Sequence, residues 1–163
     1  MKDPDDAGRP EAVPDRPQSP HPNYVTPDGL HQLEARVAEL TEARDRLVDL
    51  GRLADAQELA LVQRDLRYFE ARLARAIPVA PDAARPGRVC FGSTVEVGDE
   101  AGRVETYTLV GEDEADPALG RISWVSPLAE ALLNAEPGDE VVWRRPAGAK
   151  RLEILGIRSG HAE

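Results

Sequence analysis

The chain has 163 residues, of which 41% are hydrophobic and only 4% aromatic, and its formal net charge is −10. This length accommodates one ordinary domain, or a small domain with an extension. The acidic balance excludes general adhesion to phosphate groups, so we expect no membrane association and no binding to free DNA. The lone cysteine, Cys90, excludes an internal disulfide and fits a reducing compartment. Because no long apolar run or signal-peptide pattern appears, we predict a soluble cytoplasmic protein.

Residues 1–23 contain six prolines, several acidic residues and almost no apolar side chains. Such a segment cannot bury enough apolar surface to offset the conformational entropy lost on folding. We therefore predict a disordered, solubilising tail, with a binding role as the alternative.

Two apolar stripes at helical spacing follow, separated by a break at Gly51. The stripes are Leu30, Leu33, Val37, Leu40 and Leu47, and then Leu59, Val62, Leu66, Phe69 and Leu73. Steps of three and four place each set on one narrow helix face, which favours an antiparallel coiled-coil hairpin over residues 24–77. We expect Thr26 to cap the first helix and the second helix to run from about Asp55 to Ile77. The tip of this hairpin, residues 49–58, is rich in acidic side chains.

A proline-rich linker at residues 78–87 precedes a change of the apolar period to two, which predicts a domain over residues 88–158 and a short tail at 159–163. About five strands are expected, around Val89–Val97, Tyr107–Val110, Ile122–Val125, Glu140–Trp143 and Leu152–Ile157. A short amphipathic helix begins at Pro127, with Ser126 as its cap. One helix against a small, mostly antiparallel sheet is an α+β domain.

An acidic cluster, Glu112–Asp116, follows the second of these strands. A cluster of carboxylates can indicate a metal site, but this one is expected to form a solvated turn. No histidine has a partner at ligand spacing, so we predict that the protein has no cofactor or metal of its own.

Several segments of the C-terminal part follow the order and near-spacing of one family. They are Phe91–Val95, Tyr107–Gly111, Ile122–Ser123, Ser126–Ala129, Gly138–Asp139 and Pro146–Gly148. They resemble the C-terminal domain of the Gre transcript-cleavage factors, and Tyr24–Leu30 resembles the start of that family's coiled coil. The chain is identified as a member of the GreA/GreB family of bacterial transcription elongation factors.

This resemblance implies an N-terminal coiled-coil hairpin and a C-terminal domain of the prolyl-isomerase (FKBP-like) fold. It also implies a partner, bacterial RNA polymerase, with the globular domain on the rim of the polymerase secondary channel. Ser126 and Pro127 fall in the loop expected to contact that rim, although both also suit a helix cap and a first-turn proline. In the family, acidic tip residues help to hold a second magnesium ion in the polymerase active site, where two-metal chemistry cleaves RNA. The factor is then not an enzyme itself.

The tip departs from the family pattern, which reads Gly-Asp-Leu-Ser-Glu-Asn-Ala-Glu-Tyr. Here Gly51 and Glu58 match, Asp55 replaces a glutamate, and Arg52 stands where the first functional aspartate is expected. A cation at this place opposes occupancy of a divalent metal site. Asp49 lies close by but before the glycine, so it needs a different turn to take over as a ligand.

Each helix is also about seven or eight residues shorter than the family pattern, which at 1.5 Å per residue removes about 10 Å of reach. We therefore expect a polymerase-binding regulator without efficient stimulation of cleavage. The alternative is a working cleavage factor that shares magnesium with the polymerase through Asp55 and Glu58, residues that otherwise form a solvated helix start.

Two further interpretations remain. Arg44, Arg46 and Arg52 either lie on a solvated surface or face nascent RNA or the channel wall. Prolyl isomerase activity is suggested by the fold alone, and the scarcity of aromatic residues argues against it.

Overall fold

The computed structural model describes residues 13–80 and 87–158. The chain divides into two compact units: Met1–His21 with Gln32–Arg75, which we call the helical unit, and Pro22–His31 with Ala76–Glu163, which we call the sheet unit. This division differs from the predicted domain boundaries, because the start of the first helix belongs to the sheet unit. The predictions for residues 1–12, 81–86 and 159–163 lie outside the described residues.

Two helices joined by a tight turn confirm the predicted hairpin and its break. Helix α1 spans Pro27–Leu50 and helix α2 spans Ala56–Ala74, with a single 3₁₀ turn at Gly51–Leu53 between them. Side chains of the predicted stripes supply the buried residues of this unit, among them Leu33, Leu40, Leu47 and Leu66. Across residues 13–80 and 87–158, no helix is long and apolar enough to cross a membrane.

The second helix is shorter than predicted. It ends at Ala74, and Ala76–Pro78 forms a strand, β2, that pairs in parallel with β1 at Asn23–Val25. Pro78 has no N–H to continue a helix and disfavours helical backbone at the residue before it. The strand pairing gives these backbone groups partners instead, and the N–H of Val79 donates to the carbonyl of Val25 at 2.9 Å.

The end of the predicted tail contacts α2 within the helical unit. The guanidinium of Arg16 lies 3.9 Å from the ring centroid of Tyr68 and forms an ion pair with Asp65 at 3.5 Å. Asp15 pairs with Arg67 at 2.8 Å. Residues 13–21 are therefore not the free tail that their composition predicts, because an aromatic ring and paired charges on α2 offset the cost of ordering them.

The sheet unit contains a five-stranded sheet with the strand order β5-β4-β3-β7-β6. The strands are β3 Thr94–Asp99, β4 Val104–Val110, β5 Arg121–Ser123, β6 Glu140–Trp143 and β7 Lys150–Arg158. All neighbours pair antiparallel except β4 and β5, which are parallel. This agrees with the predicted α+β fold, although the first strand begins later than predicted, because Cys90 and Ser93 close a turn just before it.

Helix α3, Pro127–Leu132, covers the core of this sheet. Its buried side chains, Leu128, Ala129 and Leu132, pack with apolar residues from the strands and from the segment before β3. The strand residues are Val95, Val97, Leu109, Ile122, Leu152 and Ile154, and Val89 precedes them. This core fixes the loop that precedes α3.

A buried carboxylate ties the start of α1 to the sheet. Glu114 is 8% exposed and accepts hydrogen bonds from the N–H of Thr26 at 3.1 Å, from the hydroxyl of Thr26, and from the N–H of Gly111 at 2.9 Å. The side-chain oxygen of Thr26, Oγ1, in turn accepts a hydrogen bond from the N–H of Gly29 at 3.0 Å, which confirms Thr26 as the cap of α1. The prediction that the cluster at Glu112–Asp116 is simply a solvated turn is wrong for Glu114.

We predict that Gly29→Ala destabilises the protein, although alanine is normally the better helix former. An added Cβ at Gly29 would lie 2.1 Å from the carboxyl carbon of Glu114. The carboxylate must then move and give up hydrogen bonds, which costs about 1–3 kcal/mol. Urea denaturation should show a lower midpoint for Gly29→Ala.

The matched control repeats the substitution in a Glu114→Ala background. In that background the Glu114 carboxylate is absent, so Gly29→Ala should leave the free energy of unfolding unchanged or raise it slightly. Equal destabilisation in both backgrounds would contradict the role assigned to Glu114.

Candidate functional site

The backbone of the hairpin tip is set by a glycine in the left-handed region. Helix α1 ends at Leu50, and Gly51 follows with φ of 55°. A side chain at this position would be strained, although nothing lies within 4 Å of an added Cβ. The chain then makes one 3₁₀ turn and becomes extended at Ala54 and Asp55 before α2 begins.

Asp55 is the N-cap of α2. Its Oδ1 accepts hydrogen bonds from the N–H of Gln57 at 2.8 Å and from the N–H of Glu58 at 3.3 Å. These donors belong to the first turn of the helix, where no intrahelical acceptor exists for them. One carboxylate oxygen of Asp55, the residue predicted to bind magnesium, is therefore already used to accept the free N–H groups at the start of α2.

The other candidate residues of the tip, Asp49, Arg52 and Glu58, are all exposed. Arg52 lies in the 3₁₀ turn and forms no ion pair with another residue of 13–80 or 87–158, while Leu53 beside it is 87% exposed. Within those same ranges, no three His, Cys, Asp or Glu side chains lie close enough together to hold a metal ion. The tip presents carboxylates, a guanidinium and an apolar side chain to solvent.

The loop before α3 holds the two residues predicted to contact a partner. The hydroxyl oxygen of Ser126 accepts from the N–H of Ala129 at 3.2 Å, and Pro127 occupies the first helical position. The N–H of Ser126 donates to the carbonyl of Ser123 at 2.9 Å, which closes the turn after β5. Since Pro127 is exposed while Leu128 is buried, the core holds this loop and leaves the proline ring accessible.

The arginines of α1 fit the solvated interpretation more closely. Arg44 pairs with the neighbouring Asp45 at 3.2 Å, and the side chains of this pair are 37% and 62% exposed. Such pairs contribute little to stability. Arg46 is exposed.

The comparisons with known proteins agree on one family. Residues 84–159 match the family model described as "Transcription elongation factor, GreA/GreB, C-term". The chain is 36% identical over 122 residues to transcription elongation factor GreA of Desulfovibrio desulfuricans, covering 74% of this chain and 75% of the relative. The chain belongs to the GreA/GreB family. Transcription elongation factor GreB of Neisseria meningitidis serogroup B is 33% identical over 151 residues, covering 83% of this chain and 93% of that protein.

Solved structures of the GreA/GreB type are also similar. A GreA/GreB factor from Nitrosomonas europaea aligns with a TM-score of 0.41 and 27% identity, over 83% of this chain and 98% of that one. The GreA factor homolog Gfh1 of Thermus thermophilus aligns with a TM-score of 0.41 and 24% identity, over 85% of this chain and 99% of that one.

Sequence reasoning missed one residue, Glu114, that holds the start of helix α1 in this GreA/GreB member. The pattern around Glu114 is that of an acidic turn, and its partner Thr26 lies 88 residues away in the chain. The sequence features that could have indicated this contact are two glycines, because an added Cβ at Gly29 or Gly111 would collide with Glu114. Small residues at both places leave room for a carboxylate that approaches backbone N–H groups closely.

We predict that Asp55→Ala lowers the free energy of unfolding by about 1 kcal/mol, because the first turn of α2 loses its cap. Asp55→Asn should retain most of the stability, since the amide oxygen can accept the same two N–H groups. Thermal unfolding followed by circular dichroism measures both. If Asp55→Ala and Asp55→Asn lower the free energy of unfolding equally, the negative charge of Asp55, rather than its role as a cap, stabilises the turn.

Proposed function

We propose that this GreA/GreB member binds the rim of the secondary channel of bacterial RNA polymerase through its sheet unit and regulates elongation without efficient stimulation of transcript cleavage. Family membership supports a role in transcription elongation and, with it, polymerase as the proposed partner. The proposed lack of efficient cleavage stimulation rests on one observation, the exposed Arg52 at the tip. We propose a cytoplasmic location on the same basis.

Arg52 acts against metal occupancy through its charge. Two unit charges 4 Å apart interact by about 4 kcal/mol at an effective dielectric constant of 20, and a divalent ion doubles that energy. An arginine where the family has an aspartate therefore replaces an attraction by a repulsion. The tip cannot favour a second magnesium ion unless this side chain turns away.

Asp55 is a weaker ligand than the family glutamate for two structural reasons. Its side chain is one methylene shorter, and its Oδ1 already accepts two backbone N–H groups. Magnesium takes one or two carboxylates in near-ideal octahedral geometry, so a shared and shortened carboxylate is a poor donor. The shorter helices remove about 10 Å of reach in addition.

We predict that the protein competes with an authentic Gre factor for RNA polymerase but does not shorten RNA in a backtracked complex. Pro127→Ala should weaken binding to core polymerase about fivefold to thirtyfold, because truncation of a central contact residue costs about 1–2 kcal/mol. Competition in the cleavage reaction and a direct binding titration measure the two effects.

Pro117→Ala is the matched control, because Pro117 is also exposed and begins a 3₁₀ turn in the sheet unit. It should bind like the unchanged protein. If the unchanged protein neither binds polymerase nor competes with the authentic factor, the proposal fails.

The second candidate function is residual cleavage stimulation, which the exposure of both Asp55 and Glu58 at the start of α2 favours. If it operates, magnesium-dependent RNA shortening appears at high factor concentration and is abolished in Asp55→Asn. That variant keeps the helix cap but lacks the ligand charge, so it separates coordination from folding. Unchanged shortening by Asp55→Asn would exclude Asp55 as a ligand.

A further inference from the structure

A cleft of about 520 Å³ lies beside the β6–β7 hairpin of the sheet unit. The turn after β6 contributes Arg144 and Arg145, strand β7 contributes Lys150 and Arg151, and Asp99 and Glu100 also line the cleft. Its volume is within the range of small-molecule sites. Neither the tip nor the loop before α3 contributes to it.

The basic charge at this cleft contrasts with the rest of the chain. Four of the 20 lysine and arginine residues fall within residues 144–151, in a protein with a net charge of −10. A local group of cations in an acidic protein creates a positive potential that attracts compact anions. No element of the proposed polymerase interaction requires these residues.

Arg145 is held in place by two contacts. Its Nε donates to the carbonyl of Gly148 at 3.2 Å, and its guanidinium lies 5.3 Å from the ring centroid of Trp143. The turn is closed by a hydrogen bond from the N–H of Gly148 to the carbonyl of Arg145 at 3.0 Å. A guanidinium fixed in this way loses less side-chain entropy when it binds an anion.

Asp99, one of the two acidic residues of the cleft, is held by its own contacts. Asp99 accepts from the N–H of Arg103 at 2.9 Å and of Ala101 at 3.0 Å, and it pairs with Lys150 at 3.2 Å. The hydrogen bond from Arg103 and the charge of Lys150 hold the pKa of Asp99 below its usual range. Asp99 therefore stays ionised and fixes the Lys150 ammonium.

The remaining two cations are available to a ligand. Arg151 pairs with Glu140 at 3.5 Å, but both side chains are at least 60% exposed, and such pairs are weak. Arg144 is exposed and has no carboxylate within ion-pair distance among residues 13–80 and 87–158. The cleft thus combines a fixed guanidinium and a fixed ammonium with two arginines that can adapt.

We propose that this cleft binds a ligand that carries two or more linked phosphate groups. Arginine forks match phosphate oxygens in bidentate geometry, and several cations around a small volume favour a compact group with several charges. A peptide carboxylate carries a single charge and does not fill such a volume. This chemistry is presented by a free polyphosphate or a nucleoside triphosphate, whereas the phosphodiesters of single-stranded RNA carry one charge each and are separated by ribose.

The test is calorimetric titration of the full chain with inorganic pyrophosphate, ATP and a short single-stranded RNA. Arg144→Glu should weaken binding about fivefold or more in 0.1 M salt, which corresponds to the loss of at least one phosphate contact. Trp143 emission should change on binding, and that change should disappear in Trp143→Phe.

Arg88→Glu is the matched control, because it alters the net charge equally at an exposed arginine that is paired with Glu136 rather than at the cleft. The affinity of Arg88→Glu for each probe should stay within about twofold of that of the unchanged protein, because a charge outside the site is screened by salt. Binding of pyrophosphate and ATP but not RNA identifies a small polyphosphate as the ligand. Binding of RNA alone would overturn the proposal in favour of a nucleic-acid backbone.

The proposal is overturned if none of the three probes binds, or if Arg88→Glu weakens binding as much as Arg144→Glu. Displacement of pyrophosphate by a polyglutamate peptide at equal concentration would also overturn it in favour of an acidic protein partner. Because every titration uses the free chain, the outcome is independent of binding to polymerase.

Discussion

The buried carboxylate of Glu114 provides the hydrogen bonds on which the start of helix α1 depends. It accepts two hydrogen bonds from Thr26 and one from the N–H of Gly111, and Thr26 is at the same time the cap of α1. One threonine therefore begins the helix and attaches that beginning to the sheet unit. A buried carboxylate is tolerated only when donors satisfy it, so loss of either partner would leave an expensive charge behind.

Two short strands complete this attachment. Strand β1 ends immediately before Thr26, strand β2 begins directly after Arg75, the C-cap of α2, and the two strands pair in parallel within the sheet unit. The ring of Tyr24 in β1 lies 5.1 Å from the ring of Trp124 and 6.0 Å from that of Phe91. Aromatic packing and main-chain hydrogen bonds therefore secure the same three residues that carry the chain into α1.

The sequence predicts the features that local chemistry determines. Helical periodicity indicates both arms, Gly51 marks the turn, and the Ser126–Pro127 pair marks the start of α3, because each depends on residues within a few positions. The strand at Ala76–Pro78 and the burial of Glu114 depend on partners about 50 and 88 residues away. The contact of Arg16 with Tyr68 is of the same kind. Composition favours a free tail there, and nothing local identifies the ring that Arg16 covers.

Some residues of the hairpin tip are explained by the turn itself, and others are not. Gly51 is explained by its positive φ, and Asp55 by the two N–H groups that it caps. Arg52 and Leu53 have no such explanation: one is an exposed cation, and the other is an apolar side chain that is 87% exposed. A guanidinium without an ion-pair partner among residues 13–80 and 87–158, next to an exposed leucine, is a combination that suits contact with a protein or RNA surface. Beside the exposed carboxylates of Asp49 and Glu58, the tip therefore also presents a positive charge and an apolar side chain to solvent.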